Sequence, residues 1–314
     1  MLKVSGVHHV AIGVRDLKTM LAFYREFLGF TETIAEFAES EQEVMREVAR
    51  NPRAVFYGAT IQQKAGGIML EFIRMVEPAP RPIRAKPAYG DIGVGKVTLT
   101  TADVPGLWRE LKDSVPFLSE PKTATIAGRA HEFVYCRDPE GNLIEIASGD
   151  AARGERFGGA WSAGIAVSNL ERSLPFYRDF LGFATTEIDV HEGFSDLVDE
   201  AAGAPGTRVR SCLLSTEAAG GTSLELFETL RPRGRSLPFS ALWGDFGYLQ
   251  ASFMCGDVYG AAAELEAAGV DLLCSPKVLD AGPDHPDPGV FVYARDPDGI
   301  CIEFVFVPEM GDGR

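Results

Sequence analysis

The chain is built from four repeated modules, marked by two residue patterns that alternate and that each occur twice. Any fold proposed for the chain must accommodate that repeat. The segment Val10 to Phe30, which ends in Phe-Tyr-Arg-acidic-Phe-Leu-Gly-Phe, returns at Ala163 to Phe183. A second pattern, Arg-Asp-Pro-acidic-Gly followed by apolar residues and a glutamate, occurs at 137–145 and again at 295–303. The order along the chain is therefore module one, module two, a module like the first and a module like the second.

The length of 314 residues is enough for two domains, each with a core of its own. The repeat predicts one domain at 1–150 (modules one and two) and another at 157–314 (modules three and four), with a small, charged linker between them. A net charge of −15 without a run of Lys or Arg argues against nucleic acid and against an anionic membrane surface as partners. A small-molecule substrate is expected instead, and a homodimer is a further candidate assembly.

The amino terminus carries no apolar leader, and the chain has no apolar run long enough to cross a bilayer. These features predict a cytoplasmic protein. The five cysteines are scattered and include no Cys-x-x-Cys spacing, which argues against a disulfide framework and against a zinc knuckle.

Each module is predicted to run strand, helix and then three strands. The first strand of module one alternates, so that His9 and Ala11 share one face while Val10 and Ile12 share the other. His8 is accordingly expected to face away from His9. The helix that follows is predicted to begin at an Asp16 cap and to end at Gly29, with Asn169 and Gly182 as the counterparts in module three.

Two other segments carry a structural prediction. Pro175 lies inside the second of these helices and predicts a kink or a late start. The acidic segment Glu36 to Arg50 is predicted to form a solvated helix or a lid. His131 and His285 lie before hairpin strands, where contact with a substrate is an alternative but an exposed loop position is favoured.

The last strand of every module carries one acidic residue among apolar ones. A carboxylate is costly to bury unless it is paired, protonated or bound to a metal ion. Four occurrences at one place in a repeat predict a shared role for these residues, which are Glu71, Glu145, Glu225 and Glu303.

The His-His-Val-Ala-Ile start at 8–12, the helix from Asp16 to Gly29 and the Asp-Pro-acidic-Gly turns before Glu145 and Glu303 resemble the vicinal oxygen chelate superfamily. That superfamily includes glyoxalase I, methylmalonyl-CoA epimerase, extradiol dioxygenases and metal-free bleomycin-binding proteins. The resemblance implies an α+β fold in which four βαβββ modules form two glyoxalase-like units, each a curved mixed β-sheet, or cup, with helices outside. It covers nearly the whole chain and is specific for the fold, but not for the substrate.

The resemblance also implies one metal ligand from the first strand and one from the last strand of each module. The first-strand positions are His9, Lys96, Ser162 and Gln250. Pairing of neighbouring modules would place the ammonium of Lys96 beside a metal held by His9, Glu71 and Glu145. It would leave the other cup, with Ser162, Glu225, Gln250 and Glu303, without an imidazole.

Crossed pairing of module one with four and of two with three, as in fused glyoxalases, sorts the eight residues differently. One cup then holds His9, Glu71, Gln250 and Glu303, which suit a divalent ion such as Zn, Ni, Co, Mn or Fe. The other cup would contain an ammonium in place of the ion, among Lys96, Glu145, Ser162 and Glu225. We favour the crossed pairing, and adjacent pairing is the alternative.

With this set, the resemblance implies a metal-dependent lyase or isomerase of glyoxalase or epimerase type, acting on a small carbonyl compound with a vicinal oxygen. His9 and Gln250 would hold the ion, and Glu303 or Glu71 would act as the base. The first alternative is an extradiol-type dioxygenase, which needs two histidines and one carboxylate. It is less favoured because Ser162 and Gln250 stand at the matching positions. The second alternative is a metal-free small-molecule-binding protein of bleomycin-resistance type.

Overall fold

The computed structural model describes residues 2–151, 154–218, 221–279 and 289–307. His285 and residues 152 and 153 of the expected linker lie outside these ranges. The described strands are β1 (Val4–Gly13), β2 (Glu32–Glu41), β3 (Val55–Gln62), β4 (Met69–Glu77), β5 (Gly93–Thr101), β6 (Lys122–Ile126), β7 (Arg129–Arg137), β8 (Leu143–Ser148), β9 (Gly159–Ala166), β10 (Thr185–His191), β11 (Arg208–Ser215), β12 (Ser223–Arg231), β13 (Gly247–Cys255), β14 (Lys277–Leu279), β15 (Gly289–Arg295) and β16 (Cys301–Phe306).

The first helix has the predicted capping residues at both of its ends. The Asp16 side chain accepts a hydrogen bond from the Thr19 N–H at the start of the first helix, and Gly29 ends that helix with a φ of 74°. The second repeat of this helix becomes π-helical at Pro175–Phe180, in agreement with the predicted disturbance. Among the described residues, no helix is long and apolar enough to span a membrane. The α-helices are α1 (Leu17–Leu28), α2 (Val104–Leu111), α3 (Leu170–Leu174), α4 (Asp199–Ala202) and α5 (Val258–Ala267).

The strands form two eight-stranded mixed sheets, and each sheet combines modules from both halves of the chain. The first cup has the order β14-β15-β16-β13-β1-β4-β3-β2, and the second has the order β10-β11-β12-β9-β5-β8-β7-β6. At the centre of the first cup β1 runs antiparallel to β13, and at the centre of the second β5 runs antiparallel to β9. Module one therefore pairs with module four and module two with module three. The α+β fold with two glyoxalase-like curved sheets is confirmed.

The segment predicted as a helix or lid at Glu36 to Arg50 differs from the prediction. Its first part belongs to the edge strand β2, followed by a 3₁₀ turn at Glu43–Met45. The helix prediction is wrong over the strand because backbone pairing with β3 overrides the helical propensity of the acidic residues. The charged side chains remain exposed on this edge, as is common for edge strands. Residues of this segment, here called the lid segment, line the cavity of the first cup: Phe37, Gln42, Val44 and Met45.

The module helices are tied to the Asp-Pro-acidic-Gly turns by matching hydrogen bonds. The Tyr24 hydroxyl donates to Asp138 Oδ2 at 3.2 Å, and Tyr177 donates to Asp296 at 2.9 Å. Burial raises the pKa of both carboxyl groups to about 6, although the tyrosine and backbone hydrogen bonds act in the opposite direction. Because the folded-state pKa is raised, ionisation of each group costs stability as the pH rises through about 6.

Tyr24→Phe is therefore expected to destabilise the protein by about 1.5–3 kcal/mol at pH 8, where the hydroxyl stabilises an ionised Asp138. The loss should be smaller at pH 5, where this carboxyl is mostly protonated in the folded state. Urea unfolding at both pH values measures the difference. Tyr259→Phe is the control because Tyr259 is exposed. An equal loss at the two pH values would contradict the assignment of this bond to the carboxylate.

Candidate functional site

Four polar side chains meet at the floor of the first cup. His9 on β1 lies opposite Ser252 on β13, and the Ser252 hydroxyl is 2.9 Å from His9 Nε2. The same imidazole nitrogen is 3.1 Å from Glu303 Oε2 on β16 and 3.5 Å from Glu71 Oε2 on β4. Ser252 also donates a hydrogen bond to Glu303. Crossed pairing thus brings together His9, Glu71 and Glu303 from modules one and four.

Gln250, the fourth predicted ligand, lies beside this group rather than at its centre. The strand register pairs it with Ala11, two residues from His9 along β1. Its amide donates to Glu303 Oε2 at 3.2 Å and to the Tyr293 hydroxyl at 3.0 Å, and it accepts from the Trp243 indole. Gln250 therefore orients Glu303, and the register favours Ser252 as the residue across from His9.

His8 faces the same cavity as His9, so the prediction that the two face apart is wrong. The β1–β13 register shifts between Val7 and His9, and such a bulge can turn consecutive side chains to one side. The Nδ1 atoms of the two imidazoles lie 2.9 Å apart. One must donate and the other accept, and the charges of the surrounding groups decide which.

The surrounding charges make His9 the donor in its hydrogen bond with His8. Burial alone would lower the pKa of His9, but Glu303 and Glu71 raise it to about 10. Burial and the positive charge of His9 lower the pKa of His8 to about 3, so His8 is neutral. His9 Nδ1–H therefore donates to His8, which leaves His9 Nε2 directed at the carboxylates. The His8 contact fixes the ring orientation, as partners of metal-binding histidines do.

The two glutamates of the first cup are held differently. Glu303 is 6% exposed and bonded to His9, Ser252 and Gln250. Burial alone would raise its pKa, but His9 lowers it below the usual value. The Glu71 side chain is 23% exposed, and its Oε2 lies 3.5 Å from His9 Nε2, farther away than Glu303 Oε2. Glu71 is therefore the carboxylate with more freedom to move.

A cavity of about 600 Å³ opens above these residues. Its walls are mainly apolar and aromatic, and the lid segment supplies one side of them. Phe56 and Trp243 pack edge to face with ring centroids 5.4 Å apart. Cavities of this size and composition suit a small organic molecule with a few polar groups at one end. The main wall residues are Ile34, Phe37, Val44, Met45, Phe56, Trp243, Met254 and Phe291.

The donor set fits a divalent ion, although it is not arranged as a closed metal cluster. No group of three His, Cys, Asp or Glu side chains in the described part of the chain forms a ready ligand set. However, two donors bound to one ion at about 2.0–2.2 Å lie roughly 3–3.5 Å apart. The separations of His9 Nε2 from Glu303 and Glu71 fall in that range. One imidazole and two carboxylates would balance a charge of +2.

The second cup carries its own cation. Lys96 is fully buried, and its Nζ lies 2.5 Å from Glu145 Oε2 and 2.7 Å from Glu225 Oε2. Burial alone would lower the pKa of Lys96, but these two carboxylates raise it above its usual value. A Cβ at position 164 would lie 2.6 Å from Lys96 Cγ, so Gly164 leaves the space for this side chain. The ammonium replaces an ion among the carboxylates, as crossed pairing predicts.

Several site residues were missed from the sequence. Thr98 occupies the position across from Ser162 and donates to Glu145 Oε2 at 2.7 Å. Tyr135 donates to Glu145 Oε1 at 3.0 Å, and its counterpart Tyr293 pairs with Glu303 across the strands. The two tyrosines stand 158 residues apart, at the offset of the Arg-Asp-Pro repeat. This shared spacing is the feature of the sequence that could have identified the two tyrosines as equivalent residues.

Comparison with known proteins agrees with this architecture. The family model for the glyoxalase/bleomycin resistance protein/dioxygenase superfamily matches residues 6–146 and 162–304. The chain belongs to this superfamily. The two matches together span all four modules, so neither half of the chain is an unrelated addition. As superfamily members differ in reaction, this membership assigns the fold and not the activity.

Individual proteins are similar to the chain at low sequence identity. A virulence protein of Salmonella typhimurium is 26% identical over 144 residues, which are 46% of this chain and 83% of that protein. A point mutant of glyoxalase I from Zea mays has a TM-score of 0.63 at 17% identity, over 96% of this chain and 93% of that one. A putative dioxygenase from Bacillus subtilis has a TM-score of 0.59 at 14% identity, over 97% and 86%. These two structures support the fold alone.

Proposed function

We propose that this superfamily member is a metal-dependent lyase or isomerase of glyoxalase or epimerase type. The first cup would bind a small carbonyl compound with a vicinal oxygen and an apolar substituent. The observation that carries the proposal is the convergence of His9 Nε2 with Glu71 and Glu303 beneath a large apolar cavity. Zn, Ni, Co, Mn and Fe are the candidate ions for one nitrogen and two oxygen donors.

His9, Glu71 and Glu303 would hold the ion, with the Ser252 hydroxyl beside them. A bound ion supplies Lewis acidity, which polarises a carbonyl and acidifies the adjacent C–H. Glu303 is fixed by Ser252 and Gln250 and remains a ligand, whereas Glu71 accepts the proton from the carbon. The apolar walls keep water away from the carbon that loses its proton.

The alternative of a metal-free binding protein is supported by a specific observation. His9 is already paired with Glu303 and Glu71 without a metal ion, and these carboxylates favour its protonated form. The cavity above it is largely apolar and would accept an aromatic ligand. The dioxygenase alternative is less favoured, because Ser252 stands across from His9 where a second histidine ligand would be needed.

Proton exchange at carbon tests the proposal across a range of candidate substrates. The protein is loaded with each candidate ion and incubated in D₂O with a panel of 2-hydroxyketones and 2-oxoaldehyde hemithioacetals. We expect loss of the α-proton NMR signal for at least one compound with metal-loaded protein only. Absence of exchange with every ion, together with tight binding of an aromatic ligand by metal-free protein, would overturn the enzyme and favour the binding protein.

A further inference from the structure

The second cup contains a cavity beside the buried ion pairs that Lys96 makes with Glu145 and Glu225. The cavity has a volume of about 280 Å³, at the lower end of the range for ligand pockets. Strands of modules two and three form its floor, and the loop carrying Phe194 closes one side. A volume of this size suits a molecule with about one aromatic ring. The proposed activity of the first cup does not use this space.

Two residues that line this cavity, Ser162 and Glu225, each carry a buried polar atom without a hydrogen-bond partner in the described part of the chain. Ser162 Oγ and Glu225 Oε1 have no hydrogen-bond partner among the described residues, and both residues are more than nine-tenths buried. A buried polar atom without a hydrogen-bond partner is destabilising, so a ligand that supplies the partner is favoured. By contrast, both oxygens of Glu145 are bonded, to Lys96, Thr98 and Tyr135. The unpartnered polar atoms of this cluster therefore belong to Ser162 and Glu225 and not to Glu145.

The charges on the cavity wall favour a cation. Four carboxylates line it, and the ammonium of Lys96 lies behind two of them with no exposed surface. Lys96 therefore holds the carboxylates in place but does not meet a ligand directly. Burial lowers the pKa of His191, so this wall residue is neutral at pH 7. The acidic wall residues are Glu132, Glu145, Glu187 and Glu225.

The remaining wall suits an aromatic or apolar body. Phe133 and Phe194 pack edge to face with centroids 5.1 Å apart, and Trp161 lies on the same cavity. Aromatic faces attract organic cations in addition to burying apolar surface. We propose that the second cup binds a small organic cation with an aromatic or apolar body, such as a protonated primary amine, whose N–H groups bond to Glu225 and Ser162.

The test compares three probes of the same shape and different charge on the full-length protein. Benzylamine, benzyl alcohol and benzoate are titrated at pH 7 by isothermal calorimetry, with intrinsic tryptophan fluorescence of the Trp243→Phe variant, which keeps Trp161, as a second readout. Benzylamine should bind at least tenfold more tightly than benzyl alcohol, and benzoate should not bind. Equal affinity for the amine and the alcohol, tighter binding of benzoate, or no binding of benzylamine would overturn the proposal.

Variants locate the bound probe. Ser162→Ala should weaken benzylamine binding about threefold to tenfold, because one hydrogen bond is lost. It should fold normally, since the Ser162 hydroxyl has no partner to lose among the described residues. Glu225→Gln should weaken binding further, and Glu71→Gln in the first cup should leave it unchanged. Binding that responds to Glu71→Gln and not to Ser162→Ala would place the probe in the first cup and overturn the proposal, while leaving the proposed enzyme function untouched.

Discussion

Lys96→Met is expected to lower the free energy of unfolding by about 3–5 kcal/mol. Methionine is similar to lysine in length, so the loss reflects the missing charge more than missing volume. Without the ammonium, Glu145 and Glu225 are two buried carboxylates that repel each other at close range. The four aromatic rings within 6 Å of Nζ cannot replace the charge; they belong to Tyr89, Tyr135, Phe194 and Phe227. Urea unfolding at pH 7 measures the loss.

Two further variants separate charge loss from general damage. Lys64→Met is the matched control, because the Lys64 side chain is 77% exposed and its contact with Glu155 is 4.0 Å long. Its effect should stay within the range of neutral surface substitutions. Adding Glu145→Gln and Glu225→Gln to Lys96→Met should recover most of the lost stability. A Lys96→Met protein as stable as the parent would show that the ammonium does not hold this cup together.

Glu71→Gln is expected to reduce metal-dependent proton exchange at carbon about 10²–10⁴-fold. The amide keeps an oxygen donor beside His9 but cannot accept the proton at neutral pH. Metal content should therefore remain close to one ion per chain while the exchange rate falls. NMR exchange rates and metal analysis of the same samples give the two readouts.

Two other variants identify which carboxylate acts as the base. Thr60→Val is the control, because Thr60 lines the cavity and pairs with Glu71 across the strands. It should change the rate only slightly. Glu303→Gln should reduce metal content, since Glu303 is fixed by His9, Ser252 and Gln250. If Glu303→Gln kept the metal and lost the exchange while Glu71→Gln kept both, the assigned roles of the two glutamates would be reversed.

The sequence predicted the features that depend on periodicity and on local backbone chemistry. The caps at Asp16 and Gly29, the four βαβββ modules and the family resemblance all follow from residue types at fixed spacing. The favoured crossed pairing followed from charge. Lys96 suits a cup without a metal ion, and of the adjacent and crossed pairings only the crossed one separates Lys96 from His9.

The features that the sequence did not predict depend on strand register. One of the three register shifts between β1 and β13, at Val7 to His9, places His8 beside His9, and no residue type marks that shift. The register also sets Ser252, not Gln250, across from His9, because the antiparallel contact fixes the opposing residue independently of the repeat. The lid strand β2 was missed because its pairing with β3 is a tertiary interaction.

Metal binding to purified, metal-free protein tests the central claim most directly. We expect one divalent ion per chain by calorimetric titration and by elemental analysis, because the second cup already contains Lys96. His9→Ala should abolish this binding, and Ser162→Ala, in the other cup, should leave it intact. Full retention of the ion by His9→Ala, or no ion bound by the parent protein, would contradict the account.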